Sequence, residues 1–477
     1  MPGLPVVSRR QLLLGVGAVA AAAVAGCAGV EPQPRQHVHT VASLLAASPF
    51  YIAHRGSGDN WTEHTMQAYQ ESVAHGMAAI EVSVNATSDG VFVCHHDTNL
   101  RRSAGDERKI SELSFSELST IAVDARKWLG PAAAPQAIPQ LRDVLDAMAG
   151  THVIFLEDKQ GTNTTALLDL MDQYPDSTNH LIWKQSSKGA HTAQVKSRGY
   201  RVWGYFDADQ RATFADVVPA LDLAGLSVDA DDDAYRELVA MGKPVIAWEV
   251  HTRSQRDRLA ALGVQGMMCS NILYVREERP GATSDAFGTG LRAAGDLPWA
   301  LDKGWGVQPA LDPGAGTISL GMDSHASYVM GSLSPWSAES AILTVELCWP
   351  VWPPELGETA GLAFGQASDE PYLIHQPAAV AGYHLLLHPD GELVLHSRRA
   401  GQGEGTRLAS VATRAVESGE WVSLTVRLDA AGVEVSRSGE AEWKLRVEDA
   451  GHRGGYLSLC KNYPAAKPVA FRSVSIS

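Results

Sequence analysis

The sequence predicts an α/β chain in which a TIM-type (β/α)8 barrel over residues 49–276 is followed by an all-β sandwich, jelly-roll or lectin-like, over residues 299–477. Two observations predict it. Between residues 51 and 272, apolar strand-like runs alternate with amphipathic helical stretches, the pattern of parallel strands covered by helices. After residue 299 the texture changes to short alternating segments separated by turns such as Pro389-Asp390-Gly391 and Ala430-Ala431-Gly432, with almost no helix. A doubly wound open sheet is the competing reading of the first half, but no Gly-rich dinucleotide turn opens it.

The elements follow in order. Residues 1–27 read as a twin-arginine, lipoprotein-type signal: Arg9-Arg10 precedes a small-residue apolar stretch that ends at Val24-Ala25-Gly26-Cys27, similar to a bacterial lipobox. That stretch is short and Ala-rich for a membrane span, so export is the reading, with a lipid on Cys27 and the chain held at the extracytoplasmic side of the cell membrane. Residues 28–48, with Pro32 and Pro34, read as a flexible tether. Barrel strands are expected at 51–54, 79–84, 91–95, 152–157, 181–184, 201–205, 223–228, 244–248 and 266–269. Helices are expected at 65–75, 141–148, 164–173 and 254–262, the last closing at Gly263. Residues 277–298, rich in Gly and Ala, read as a linker that leaves the sandwich to fold on its own.

Composition narrows the function classes. A net charge of −15 supplies no clustered Lys and Arg for a nucleic-acid groove, and it disfavours simple electrostatic attachment to an anionic membrane. Beyond Cys27, four cysteines remain, none with metal-ligand spacing. Export permits Cys94–Cys269 and Cys348–Cys460 bridges, but buried free thiols are the preferred reading.

The chemistry concentrates at strand ends. His54 closes the first strand, at the end where barrels place their active sites, and Arg55 beside it offers a forked donor for phosphate. Thr87-Ser88-Asp89-Gly90 reads as a two-residue hairpin turn, which would set Ser83 opposite His96 and put Glu81, Ser83 and His96 on one face. Glu157 and Lys159, two apart, would join the same mouth. Histidines exchange protons near neutral pH, carboxylates hold a hard cation, and Arg and Lys neutralise phosphate. Those are the parts that cleavage of a phosphodiester needs.

His54-Arg55-Gly56, Glu63, Glu81, the Thr87–Gly90 turn, His96-Asp97-Thr98-Asn99-Leu100, Ile138-Pro139 with Leu141, and Glu157 with Lys159 together resemble the glycerophosphodiester phosphodiesterase family. Ala247-Trp248 and Gly263-Val264 with Gly266 fit its closing segment, so the resemblance spans about 220 residues. It implies a barrel like that of the phosphatidylinositol phospholipases C, a divalent cation (Mg or Ca), and attack by the substrate's neighbouring hydroxyl or by water. By resemblance, His54 and His96 match the acid–base pair, Arg55 and Lys159 the phosphate contacts, and Trp248 a pocket aromatic. Glu81 and Glu157 match metal ligands, with Glu63 a further acid and Ser83 a weak ligand. The chain departs from the family where Glu-x-Asp is Glu81-x-Ser83, where Pro-Glu-Asn is Thr62-Glu63-His64, and where Thr-Asp is Cys269-Ser270.

Other features read as structural. His95 points to the opposite strand face, the acidic run Asp229, Asp231, Asp232 and Asp233 reads as a solvated loop, and Trp305, Trp349 and Trp352 read as packing rather than sugar platforms. The implied function is an exported, metal-dependent phosphodiesterase acting on glycerophosphodiesters or on glycerol-phosphate-containing envelope polymers and lipids. The alternatives are a phospholipase D-like lipase of the same barrel type, and a catalytically weak barrel that serves envelope glycan binding through the sandwich.

Overall fold

The computed structural model describes residues 38–298, 308–321, 325–336, 340–354, 357–372, 380–439, 445–463 and 467–477. The expected signal at 1–27, with Cys27, and Trp305 lie outside the described residues, as does the tether as far as residue 37. Eight parallel strands form the first sheet: β1 (Phe50–Ala53), β2 (Ala79–Ala86), β4 (Val153–Asp158), β5 (Leu181–Ser186), β6 (Arg201–Phe206), β7 (Leu223–Ser227), β8 (Val245–Val250) and β9 (Gly266–Cys269). An antiparallel β3 (Phe92–Cys94) adds to β2. The order β1-β9-β8-β7-β6-β5-β4-β2 closes on itself where Ala53 pairs with Ile80. The barrel expectation is therefore met, and each expected strand lies within a few residues of an observed one.

Strand alternation divides the barrel interior into layers. Phe50 and Ile52, Ala79, Val153 and Phe155, Ile182, Trp203, Leu223, Ile246 and Met268 pack together as an apolar floor. Two positions higher, the same parity brings up Glu81, Glu157, Lys184 and Tyr205, so the polar layer is stacked on the apolar one by period two alone. Gly225 makes room for the floor's largest ring, because a Cβ there would meet Trp203 at 2.6 Å.

The helix Val41–Ala46 closes the bottom of this interior. Thr40 caps it, its hydroxyl accepting from Ser43 N–H, while Val41 and Leu44 join the apolar floor. This corrects the expected tether, whose last residues are structured. The two buried side chains contribute about 1.5–3 kcal/mol each relative to exposure.

The second half holds, among the described residues, two seven-stranded antiparallel sheets whose facing residues share one apolar core. The strand Asp296–Pro298 pairs with Ala326–Met330, and Ser284 bridges to Ser475. The expected linker is thus partly built into the sandwich. Barrel and sandwich fall within one compact unit, Val38–Ser477. At their junction, the Asp369 carboxylate from the sandwich accepts from Arg253 N–H at 2.6 Å and Ser254 N–H at 2.9 Å, capping the barrel helix Arg253–Ala261. The Tyr274 hydroxyl donates to the same carboxylate at 2.8 Å, and Arg253 donates to the Ser334 carbonyl at 2.7 Å. These contacts are buried, so the barrel and the sandwich are joined by more than the segment between them.

Cys94, Cys269, Cys348 and Cys460 are buried free thiols, as preferred from the sequence. Asp231 caps the helix Asp232–Ala240, and Asp232 and Asp233 occupy its first turn. Carboxylates there are favoured by the helix dipole, which accounts for the acidic run. Trp349 is buried and Trp352 is partly exposed.

Candidate active site

The chain leaves β1 at Ala53 and turns at once through His54-Arg55-Gly56. Arg55 sits in the left-handed region at φ 54°, which costs a non-glycine residue about 1–2 kcal/mol. The strain is offset where its N–H donates to Glu81 Oε2 at 2.9 Å. Gly56 follows at φ 75°, and a Cβ there would meet Ala68 at 2.8 Å, so the turn admits only glycine. Residues held in such conformations concentrate at functional sites.

His54 is buried, and its Nδ1 contacts Glu249 Oε2 at 2.7 Å and Ser270 Oγ at 2.9 Å. The β8–β9 register slips between Trp248 and Val250, a bulge that carries Glu249 out of the ladder and toward His54. Burial draws the His54 pKa down to about 4 even though Glu249 opposes it. His96 forms a parallel arrangement, its Nδ1 2.7 Å from Asp97 Oδ1. Burial, then the charge of Arg55, lowers its pKa to about 4, and Lys159 adds to the effect. Both histidines therefore have Nδ1 engaged by a carboxylate, which leaves Nε2 for proton exchange.

Ser83 does not oppose His96. Val84 pairs with Cys94, and His95 N–H donates to Ser83 O at 2.9 Å. Thr87 pairs with Val91 across a three-residue loop, one residue longer than the two-residue turn expected, so the register shifts by one. His96 lies beyond the end of β3 and reaches the site from the following loop. His95 is held by Ser103 Oγ at 2.7 Å and the Asp97 carbonyl at 2.8 Å, a structural placement.

Glu63 is clamped by Arg55 at 3.1 Å and by Arg102, which also holds Asp97 at 2.7 Å. Despite burial, these two guanidinium groups keep its carboxyl well below the ordinary range. Lys159 lies 3.2 Å from Glu157 Oε1. The Trp248 ring meets Tyr205 edge-on at 5.2 Å. A cleft of about 360 Å³ opens beside this cluster, lined by Glu157, Lys159, Lys184, Lys188, His191 and Tyr205. A larger cavity, about 720 Å³, lies near Trp128, Arg292 and Leu311 and contains none of these groups.

The deepest part of the site was not anticipated. Lys184 Nζ lies 2.6 Å from Glu81 Oε1 and 2.8 Å from Glu157 Oε2. Ser83 Oγ donates to Glu81 Oε1 at 3.0 Å, and Tyr205 donates to Glu157 Oε1 at 2.6 Å. Lys184, Tyr205, Glu249 and Ser270 were all missed from the sequence. A lysine at the carboxyl end of a barrel strand was the available signal for the first. For Ser270 it was the departure at Cys269-Ser270.

The ligand set expected for a divalent cation does not fit one. Both oxygens of Glu81 and Oε1 of Glu157 already accept from N–H or O–H donors, Glu157 Oε2 lies 2.8 Å from the Lys184 ammonium, and Glu63 is taken by two arginines. Among the described residues, no group of three or more His, Cys, Asp or Glu is placed to hold a metal ion.

The sequence model of the glycerophosphoryl diester phosphodiesterase family matches residues 54–255, a span that begins at His54 and takes in His96, Glu157 and Trp248. Over this span the barrel is similar to that family. Among curated relatives, the probable glycerophosphodiester phosphodiesterase 1 of Mycobacterium tuberculosis (strain ATCC 25618 / H37Rv) is 34% identical over 82 residues, 17% of this chain and 30% of that protein. The lysophospholipase D GDPD1 of Rattus norvegicus is 29% identical over 143 residues, 29% of this chain and 45% of the relative. The chain thus spans under half the length of these two relatives. A putative glycerophosphoryl diester phosphodiesterase structure from Silicibacter pomeroyi is similar at 19% identity and a TM-score of 0.41, covering 47% of this chain and 90% of that one. An Oleispira antarctica phosphodiesterase in complex with the product sn-glycerol-3-phosphate is similar at 18% identity and a TM-score of 0.42, covering 48% and 96%. In the barrel, the expected His54, Arg55, Glu63, Glu81, His96, Glu157, Lys159 and Trp248 all lie around the carboxyl ends of the strands.

Proposed function

We propose that the chain hydrolyses glycerophosphodiesters, and the observation that carries this reading is the pair of histidines, His54 buried and His96 half-buried, each with Nδ1 on a carboxylate, beside Arg55 and Lys159. Arg55 and Lys159 would hold the phosphate. His54, neutral in the free protein, takes a proton from the attacking hydroxyl, which is the glycerol's own or that of water. The P–O bond to the headgroup then breaks, and His96 gives its proton to the departing oxygen. The charges that depress His96 are those of Arg55 and Lys159, which an anionic phosphate neutralises, so substrate itself raises the pKa of His96 and loads it as the acid. The alkoxide leaves as an alcohol. Attack by water leaves glycerol phosphate directly, whereas attack by the glycerol hydroxyl leaves a cyclic phosphate. Water deprotonated by His96 opens that ring to glycerol phosphate as His54 returns its proton to the ring oxygen.

A panel of glycerophosphodiesters with choline, ethanolamine and glycerol headgroups, together with a lysophospholipid, tests the reading by release of the free headgroup alcohol. Turnover of the soluble diesters is expected. Cleavage of the lysophospholipid alone would favour the lipase reading, which the resemblance to a lysophospholipase D supports. Failure to cleave any of them would overturn the hydrolase reading. We propose as well that the chain is exported and lipid-anchored at Cys27, on the strength of Arg9-Arg10 and the lipobox-like run, with envelope polymers or lipids as its substrates and the sandwich as a glycan-binding surface. Loss of membrane attachment in Cys27→Ala is the outcome expected of the anchor.

A further inference from the structure

We infer that Lys184 is the resident cation of this site, and that the chain binds and cleaves its substrate without a divalent metal; the cleavage part rests on the phosphodiesterase reading above. The Lys184 side chain is 6% exposed and bridges Glu81 and Glu157, themselves buried on neighbouring strands. A buried ammonium is stable only when carboxylates surround it, and burial does work against its charge here. Glu81 and Glu157 supply that compensation, with oxygens 2.6 Å and 2.8 Å from the ammonium.

The charge balance explains why Ser83 and Lys184 belong together. Two carboxylates with one ammonium leave one net negative charge, as three carboxylates with a divalent cation would. An aspartate at position 83, on the strand that carries Glu81, would add an anion with nothing to neutralise it. Serine instead donates to Glu81 Oε1 and uses a lone pair that a metal would need. Tyr205 and Lys159 reach Glu157 Oε1 and the Arg55 N–H reaches Glu81 Oε2, so among the described residues the ion pair to Lys184 is the one contact left at Glu157 Oε2. An ammonium carries three N–H groups, and two of those on Lys184 face the carboxylates. The third is available to an oxygen of a phosphate held at Lys159, because both lysines line the same cleft. There it would stabilise charge that grows on the phosphoryl oxygens as the bond breaks.

The test has a binding arm and a turnover arm. Titration calorimetry of chelator-stripped full-length protein with MgCl2 and with CaCl2 is expected to show no stoichiometric site in the wild type. In the double variant Ser83→Asp, Lys184→Ser a one-to-one site should appear. In the turnover arm, wild-type cleavage of a glycerophosphodiester should be unchanged by excess chelator. Lys184→Met should lower kcat/KM by about 10²–10³-fold with no rescue by metal. One-to-one metal binding by the wild type that Glu81→Gln abolishes would overturn the inference, whatever the activity; so would undiminished turnover by Lys184→Met. If no diester is cleaved, the phosphodiesterase reading fails while the wild-type titration still decides the cation. It decides equally if either lysine variant fails to fold.

Discussion

The two histidines carry the sharpest expectations at the scale of single residues. His54→Ala and His96→Ala should each lower turnover about 10²–10⁴-fold with the fold intact by circular dichroism, since each removes a proton carrier. Near-normal turnover by either variant would remove it from the acid–base pair. The pH profile has a direction as well. His54 must be neutral to act as base, and burial places its pKa near 4, so the acid limb of kcat/KM should fall near pH 4 rather than near the ordinary histidine value. A midpoint between 6 and 7 would show that another group controls the limb. Most of these residues were legible from the sequence because His54, Arg55, Glu81, His96, Glu157 and Lys159 sit in short motifs with fixed spacing. Lys184, Glu249 and Ser270 were not, because their partners are far away in sequence: 103 residues separate Lys184 from Glu81, and 216 separate His54 from Ser270. Closure of the barrel brings them together, and no local pattern encodes closure.

Period and length were readable for single elements, whereas register was not. The helix Leu141–Met148 and the strand Gly266–Cys269 have the bounds their apolar spacing predicts. The β2–β3 hairpin does not follow its turn signal, because Ser88, Asp89 and Gly90 all lie in the loop. Phe115 N–H donates to Asp89 Oδ1 at 3.0 Å and Ser88 N–H to the Leu113 carbonyl at 2.9 Å, tying that loop to a distant segment. The helix Val41–Ala46 was hidden by its brevity and by the proline-containing stretch before it. Leu44→Ala should lower the unfolding free energy by about 2–5 kcal/mol, measured by denaturant titration, because it leaves a void in the barrel floor. A change under 0.5 kcal/mol would mean that the helix does not close the barrel. Asp231→Ala should cost about 1 kcal/mol through loss of the N-cap of Asp232–Ala240.

For the molecule as a whole, the junction between barrel and sandwich makes stability depend on pH. Asp296, on the strand that enters the sandwich, has its pKa pushed up to about 7 by burial, against the hydrogen bond from Ser332 N–H. Between its unfolded value of 3.8 and about 7, the folded state keeps a proton that the unfolded chain releases, so this group's contribution is full below 3.8 and is lost as pH rises toward 7. Asp296→Asn should therefore melt higher than the wild type at pH 8 and show little advantage at pH 4; an equal difference at both would remove Asp296 as the cause. The two-domain architecture was legible in the change from helical to alternating periodicity near residue 299. The junction was not, since Asp369 and Arg253 are 116 residues apart and neither belongs to a motif. Because the Asp369 carboxylate accepts from two backbone N–H groups in the first turn of a barrel helix, the two halves satisfy each other's buried polar groups. Neither half can melt without stripping the other of partners, so scanning calorimetry should record a single endotherm whose measured enthalpy equals its van't Hoff enthalpy. Asp369→Ala should uncouple them into two overlapping transitions, with the barrel's the lower.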